Sequence, residues 1–385
     1  MASAYINPAM LKWGREQTPF KTVDDVEKHK PSIKAEKLAA REAGTELPSL
    51  TAAKELAVLY KLPFAAFFLS DPPEKKTIKY KDRRTVKGTI YKENNYELWA
   101  ETRRVDNNRD QIIELYSAEG IEPLRIPTFD FADSIEDIAE RIRSFLKIQT
   151  PFQYKKTFGN SAFRYYRDIL EHHDICVVQI NGVELSEMKG FSLAYEVIPI
   201  IGINGKDYER AKVFSLFHEL AHIIRRTSSL CMIDFDRRND EEEKLCDQLA
   251  AAILMPKVTF VDLAKEIYKR EGKWYPVCLM KIADKYGVSS VSVLRRLYET
   301  DVITWSEYQA LYKKLQDDFE SSHNNVNGTG FADYYQRYIN AQGYLFSRTA
   351  LIAYGAGVLT YGELCKTLNM KARHIGDLER AVMFG

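Results

Sequence analysis

No charge of either sign prevails in the sequence: 55 Lys and Arg stand against 54 Asp and Glu, a formal net charge of +1. Such a balance points to neither nucleic acid nor an anionic membrane, so any basic surface must be local. Cysteine is scarce and never arranged as CxxC; the five (Cys176, Cys231, Cys246, Cys278, Cys365) are scattered over 385 residues. An odd, dispersed set suits a reducing compartment better than a disulfide framework. Long hydrophobic runs are missing too. The longest apolar stretch, residues 56–69, is broken by Lys61 and Pro63 and falls short of the ~20 residues a membrane span needs. The opening "MASAYINPAMLKWGRE" has no cationic start followed by an apolar core, so no secretory signal is read in it. The expectation is a cytoplasmic protein with no membrane partner.

What is present is enough apolar residue for real cores, 45% of the chain, in a length that suits two or three domains. Residues 1–72 carry short segments with apolar residues three and four apart, "AMLKWGREQ", "TVDDVEKHK", "IKAEKLAARE" and "TAAKELAVLYKL", the period of helices. Polar, proline-bearing "SDPPEKKTIKYKDRR" reads as a linker. It opens a helical region, 73–150, with one long amphipathic candidate from Tyr96 and another in "DSIEDIAERIRSFLKI", capped by Asp133 or Ser134. Between 151 and 260 the pattern changes. "ICVVQI", "GFSLAYE" and "VIPIIGI" are β-rich runs bounded by Asn181-Gly182, Gly190 and Asn204-Gly205, which predicts a small sheet. Two strong helices follow, "RAKVFSLFHELAHIIRR" and "DEEEKLCDQLAAAILM", the second ended by Pro256. Residues 261–320 are helical again, and 321–385 combine a linker, "SSHNNVNGTG", with a small helical tail. The fold class expected is α+β: mainly helical, with a small-sheet core flanked by helical domains.

The chemistry concentrates in "FHELAH". On a helix, residues four apart share a face, so His218 and His222 can direct two imidazole nitrogens at one ion. Zn²⁺ accepts such nitrogens and keeps an open position in catalytic sites. Glu219 lies beside that line, where a general base can take a proton from water activated by the ion. Phe214, Phe217, Leu220, Ala221, Ile223 and Ile224 are apolar, so the helix is buried and unpaired imidazoles on it would be costly. A third ligand must come from elsewhere. In "DEEEKLCDQLAAAILMP", Glu243 and Asp247 share a helical face that Ala250, Ala251 and Leu254 continue, and small side chains there permit close packing. Glu243 is the candidate ligand, Glu242 its rival, and Asp247 the candidate acceptor for the far nitrogen of a liganding histidine.

With these residues in place, "GFSLAYEVIPIIGINGKDYERAKVFSLFHELAHII" and "EKLCDQLAAAILMP" resemble the two signature segments of the ImmA/IrrE family of metallopeptidases. The first is similar to a strand ending in Asn before the HExxH helix. The second is similar to a Glu-x-x-(Ala/Cys)-(Asn/Asp)-x-x-Ala-Ala helix ending in Met-Pro. Residues 1–72 resemble the Xre-type helix-turn-helix domain that precedes many members, although Pro31 stands where its first turn should be. The resemblance implies a zincin core with a gluzincin-like site: Zn²⁺ held by His218, His222 and Glu243, with Glu219 as base. It also implies endopeptidase action on a repressor or toxin–antitoxin partner, relieving repression of mobile-element or stress genes.

Two segments bear on DNA. Lys28, Lys30, Lys34, Lys37 and Arg41 are candidates to cluster on one edge of the N-terminal domain and touch phosphates. In "KIADKYGVSSVSVLRRL" a helix-turn-helix corner at Ala283, Gly287 and Val288 would present Ser289, Ser290, Arg295 and Arg296 to a groove; packing against the peptidase core is the favoured alternative. "EVIPIIGIN" is either a sheet edge open to a substrate strand or a plain core strand. The rival to the enzyme reading is a non-proteolytic DNA-binding antitoxin or antirepressor with a structural or weak zinc site.

Overall fold

The computed structural model describes residues 3–73, 96–129, 133–148, 161–226, 229–231, 241–322 and 333–383. The stretches read as linkers, 70–84 and 321–330, fall largely outside these. The chain divides into two compact units, the first ending at Asn107 and the second beginning at Asn108.

The first unit holds four short helices, α1 (Pro8–Glu16), α2 (Val23–His29), α3 (Ala35–Glu42) and α4 (Leu50–Leu59), and a single 3₁₀ turn at Phe64–Phe68. Three of the four starts carry a capping side chain. Asn7, Thr22 and Ser49 accept the first-turn N–H groups of α1, α2 and α4, and Thr22 with Asp25 forms a capping box. Leu11, Val26, Leu38, Leu56, Tyr60 and Phe67 make the core. Arg15 bridges α1 to α3, its Nε and Nη2 donating to the two carboxylate oxygens of Glu42 at 2.8 and 3.0 Å.

Helix α5 (Tyr96–Glu119) carries the chain from the first unit into the second. There follow α6 (Ile135–Phe145) and α7 (Ala162–Glu171), then strands β1 (Cys176–Ile180), β2 (Gly190–Leu193) and β3 (Ile200–Asn204). Next come α8 (Glu209–Ile224), β4 (Ser229–Cys231) and α9 (Glu241–Leu254). Ser134 is the residue that caps α6, accepting from Asp137. The strands form one mixed sheet in the order β1-β3-β2-β4, with β1 parallel to β3 and the other pairs antiparallel. The expected class, mainly helical around a small sheet, is what the chain adopts. The alternative of an open edge at "EVIPIIGIN" is corrected: β3 is hydrogen-bonded on both sides, to β1 and β2, so it offers no free edge. All five of its residues are buried, as in a core strand.

Four more helices, α10 (Lys257–Glu271), α11 (Pro276–Tyr286), α12 (Ser290–Glu299) and α13 (Trp305–Ser322), continue the chain. One hydrophobic cluster runs from Ile138 and Ile142 of α6 through Val177, Leu216, Leu220 and Leu249 to Leu279, Leu294 and Leu311. The segments 151–260 and 261–320 thus share a single core. Two buried arginines fix the end of α9. Arg143 Nη1 donates to the carbonyl of Ile253, and Arg296 Nε donates to that of Met255 at 3.0 Å. Both carbonyls would otherwise be buried at a helix C-terminus, where cations are favoured.

The chain closes with α14 (Tyr334–Gln342), α15 (Tyr344–Gly355), α16 (Tyr361–Thr367) and α17 (Ile375–Met383). Helices α14 and α15 cover the outer edge at β1, which removes a template for unwanted strand pairing. The seam is held by Glu171, whose side chain is wholly buried beside Arg167 Nε at 3.6 Å. Glu171 accepts from the N–H of Leu345 at 3.0 Å and of Val177 at 3.5 Å. Burial pushes its carboxyl up to about 7, with Arg167 and the backbone donors only partly offsetting it. The folded chain therefore holds a proton there that the unfolded chain has lost above its ordinary value of 4.5. This contribution to stability is full below pH ~4.5 and is lost as the pH rises through about 7, worth roughly 3 kcal/mol. Urea titrations of Glu171→Gln are expected to show a flatter stability profile between pH 4.5 and 7 than the wild type. An unchanged slope would assign the dependence to other groups.

Candidate metal centre

Every residue of α8 from Leu216 to Ile224 is buried, including His218, Glu219 and His222. A helix enclosed on all sides is a core element, and this one packs against α7, α9, β2 and β3. Its neighbour α9 is buried from Leu249 to Leu254. The run Ala250, Ala251 and Ala252 lets the two helices approach closely.

That approach brings Glu243 to the two histidines. His218 Nε2 and His222 Nε2 stand 3.2 Å apart. Glu243 Oε2 is 3.3 Å from His218 Nε2, and Glu243 Oε1 is 3.4 Å from His222 Nε2. Ligand bonds of about 2.0–2.1 Å around a tetrahedral ion place ligand atoms about 3.3–3.4 Å apart. Each nitrogen faces a different Glu243 oxygen, and one ligand atom from each of the three residues lies within 4.8 Å of the others. The nitrogen–nitrogen separation is close to the edge of such a tetrahedron, so the donor set fits a divalent cation, and two imidazoles with one carboxylate suit it chemically. Among the described residues these three are the one group of His, Cys, Asp and Glu placed to hold a metal ion. Glu242 faces elsewhere, its Oε1 lying 3.9 Å from Arg225 Nε.

The far nitrogens of both imidazoles also meet α9. His218 Nδ1 donates to Asp247 Oδ1 at 2.8 Å, which leaves Nε2 free of its proton and able to bind a cation. His222 Nδ1 lies 3.6 Å from Cys246 Sγ. Asp247 Oδ2 accepts from Arg295 Nη1 at 2.6 Å. Burial alone would raise the Asp247 carboxyl; the His218 hydrogen bond and the Arg295 guanidinium outweigh it and hold it well below the usual carboxylate range.

Glu219 is fully buried, and its carboxylate lies against β2 at Gly190. A Cβ at Gly190 would stand 2.8 Å from Glu219 Oε1 and 3.1 Å from its Cγ, with the Gly202 carbonyl at 3.2 Å. The lack of a side chain at 190 is what leaves room for the carboxylate.

Residues 171–298 match the IrrE N-terminal-like domain, a peptidase family. The matched segment is therefore similar to IrrE/ImmA-like peptidase domains. It contains the whole sheet, α8 and α9, and so every residue of the cluster; the N-terminal unit lies outside the match. No curated protein matches the chain. Family and cluster together support a metal-dependent peptidase. Among the described residues no helix is long and apolar enough to cross a membrane.

The remaining candidates are placed differently. In the N-terminal unit Lys28 lies 3.9 Å from Asp25, Lys30 2.7 Å from Glu55, Lys34 2.9 Å from Glu27 and Arg41 3.2 Å from Glu46, while Lys37 is exposed. Four of the five thus lie beside an acidic partner. The α11–α12 corner is a helix-turn-helix, with Gly287 at φ +66° making the turn. It lies within the matched segment, where α12 packs on α9 and α13, and three of the four groove candidates are engaged inside the protein. Ser289 caps α12, Arg295 binds Asp247 and Glu299, and Arg296 is buried against Glu136 and Met255. Gly190, Cys246 and Arg295 were not readable as site residues, because their partners lie on other elements. The only sequence signal for Cys246 was its place one turn from Glu243.

Three substitutions separate the roles. Glu243→Ala is expected to lose metal at concentrations where Glu242→Ala retains it, measured by metal content after gel filtration; the reverse result would move the third ligand by one residue. Gly190→Ala should keep the metal but cut peptide hydrolysis at least ten-fold, since the new methyl displaces the Glu219 carboxylate. Full activity in Gly190→Ala would show that Glu219 does not need this space.

Proposed function

We propose that the protein is a zinc-dependent endopeptidase that cleaves a repressor or other regulatory protein and so relieves repression of mobile-element or stress genes. The observation that carries the peptidase reading is the convergence of His218, His222 and Glu243, whose ligand atoms lie within 4.8 Å of one another, with the buried Glu219 next in sequence to His218. In this reading His218, His222 and Glu243 hold the ion, and Asp247 fixes the tautomer of His218. A bound zinc ion supplies Lewis acidity, lowering the pKa of a water and polarising the scissile carbonyl. Glu219 accepts the water proton and passes it to the leaving amine, a role that suits a carboxylate held in place by the sheet. The surrounding apolar side chains of α8 and α9 keep bulk water out and strengthen each of these interactions.

A regulatory protein as substrate follows from the family resemblance. The N-terminal unit is read as an Xre-like module that brings the target. Its lysines and arginines alternate with acids that pair with them, which favours a protein surface over DNA phosphates.

The test is Glu219→Gln. The ligands and the shape are unchanged, so zinc content and fold should match the wild type. Gln cannot accept a proton, so cleavage of the partner repressor should fall by at least the ~10²–10⁴-fold of a lost general base. In cells the repressor should stay intact and its genes silent. Normal regulation by a zinc-loaded, cleavage-dead variant would replace this reading with the non-proteolytic antitoxin or antirepressor.

A further inference from the structure

We infer that Arg295, on α12, is a positioning residue of the metal centre, acting through Asp247 on His218; the inference rests on the metal-site reading above. Four side chains from three helices form one line. His218 Nδ1 donates to Asp247 Oδ1 at 2.8 Å, Arg295 Nη1 donates to Asp247 Oδ2 at 2.6 Å, and Arg295 Nε donates to Glu299 Oε1 at 2.8 Å.

The geometry gives each member a distinct task. A carboxylate bonded through one oxygen can still rotate about its Cβ–Cγ bond and swing away from the imidazole. Asp247 is bonded through both oxygens, to a ring on one side and a guanidinium on the other, so its plane is fixed. The guanidinium is itself held at a second point by Glu299, whose side chain is only 11% exposed. Arginine suits this place because its planar fork offers donors at fixed angles to two carboxylates, which an ammonium group does not.

Charge and orientation predict opposite outcomes. A cation near the metal site, taken as a charge, disfavours a second cation. Removing it would then tighten metal binding. As an orienting group it keeps Asp247 aimed at His218 Nδ1, and removing it would weaken metal binding through a misaligned ligand. Orientation prevails here because Glu299, bonded to Arg295 Nε at 2.8 Å, offsets the charge at close range. Helix α12 thereby becomes part of the metal centre.

The test measures zinc affinity of the full-length protein by chelator competition and the d–d spectrum of its Co²⁺ form. Arg295→Met is expected to weaken zinc binding by roughly ten-fold, within the range found when a residue supporting a ligand is lost, and to alter the Co²⁺ spectrum. In an Asp247→Asn background the same substitution should change affinity less than about two-fold, because the path through Asp247 is already cut. Arg295→Lys keeps the charge and a bond to Asp247 but cannot reach Glu299 with a second fixed donor; it should fall between the two, and it serves if Arg295→Met does not fold. Unchanged or tighter zinc binding in Arg295→Met or Arg295→Lys would overturn the inference alone. A penalty retained in full beside Asp247→Asn would do the same, showing a merely structural contact between helices. Absence of metal binding by the wild-type protein would overturn it together with the metal-site reading.

Discussion

Four ionisable side chains, His218, Glu219, His222 and Glu243, sit together between two helices with little access to water, and the second unit is organised around the cost of that burial. Imidazoles and carboxylates lose hydration there and must regain it from partners. Part of the return comes from the attraction between nitrogen and carboxylate oxygen. The rest comes from α9, which supplies Asp247 and Cys246 to the far sides of the two rings. Because both contacts and Glu243 arise from one helix, a slide of α9 along α8 by one residue would break all of them.

The supports of α9 make sense on those terms. Alanines 250–252 set its distance from α8, and Arg143 and Arg296, from helices on other sides, hold the carbonyls at its end. The sheet has a parallel duty toward Glu219. Asn204, at the end of β3, donates to the carbonyls of Val183 and Met188 and accepts from Lys206. It closes the turn that leads into Gly190, where the strand must have no side chain. The C-terminal helices cover the opposite edge, bound there through Glu171, so the sheet that carries Gly190 is finished on that side by the same chain.

Helices α11 and α12 show why a supersecondary shape does not by itself name a function. Gly287 makes the tight turn of a helix-turn-helix, and the serines and arginines after it have the composition of a DNA-reading helix. Burial decides otherwise. Arg296 is almost wholly enclosed, Ser289 satisfies the helix start, and Arg295 is engaged by two carboxylates. Donors committed inside the protein are not available to a base edge or a phosphate.

Much of this protein is local, and local features were readable. The start of α6 announced itself through Ser134, one of its two candidate caps, the strands through β-branched runs closed by Asn-Gly pairs, and the histidine pair through its four-residue spacing, since helical geometry alone puts residues 218 and 222 on one face. Glu243 and Asp247 were readable to the same degree, as neighbours one turn apart on a second helix. What the sequence could not contain was which strands are adjacent and which side chains from separate helices meet. Whether β3 lay at an edge depended on β1 and β2 pairing with it from both sides. Gly190 gained its meaning only when Glu219 came to rest against it, and Arg295 only when α12 packed beside α9. The period of a helix or strand fixes the direction of a side chain relative to its own axis; the packing of whole elements, driven by burial of their apolar faces, decides what it faces.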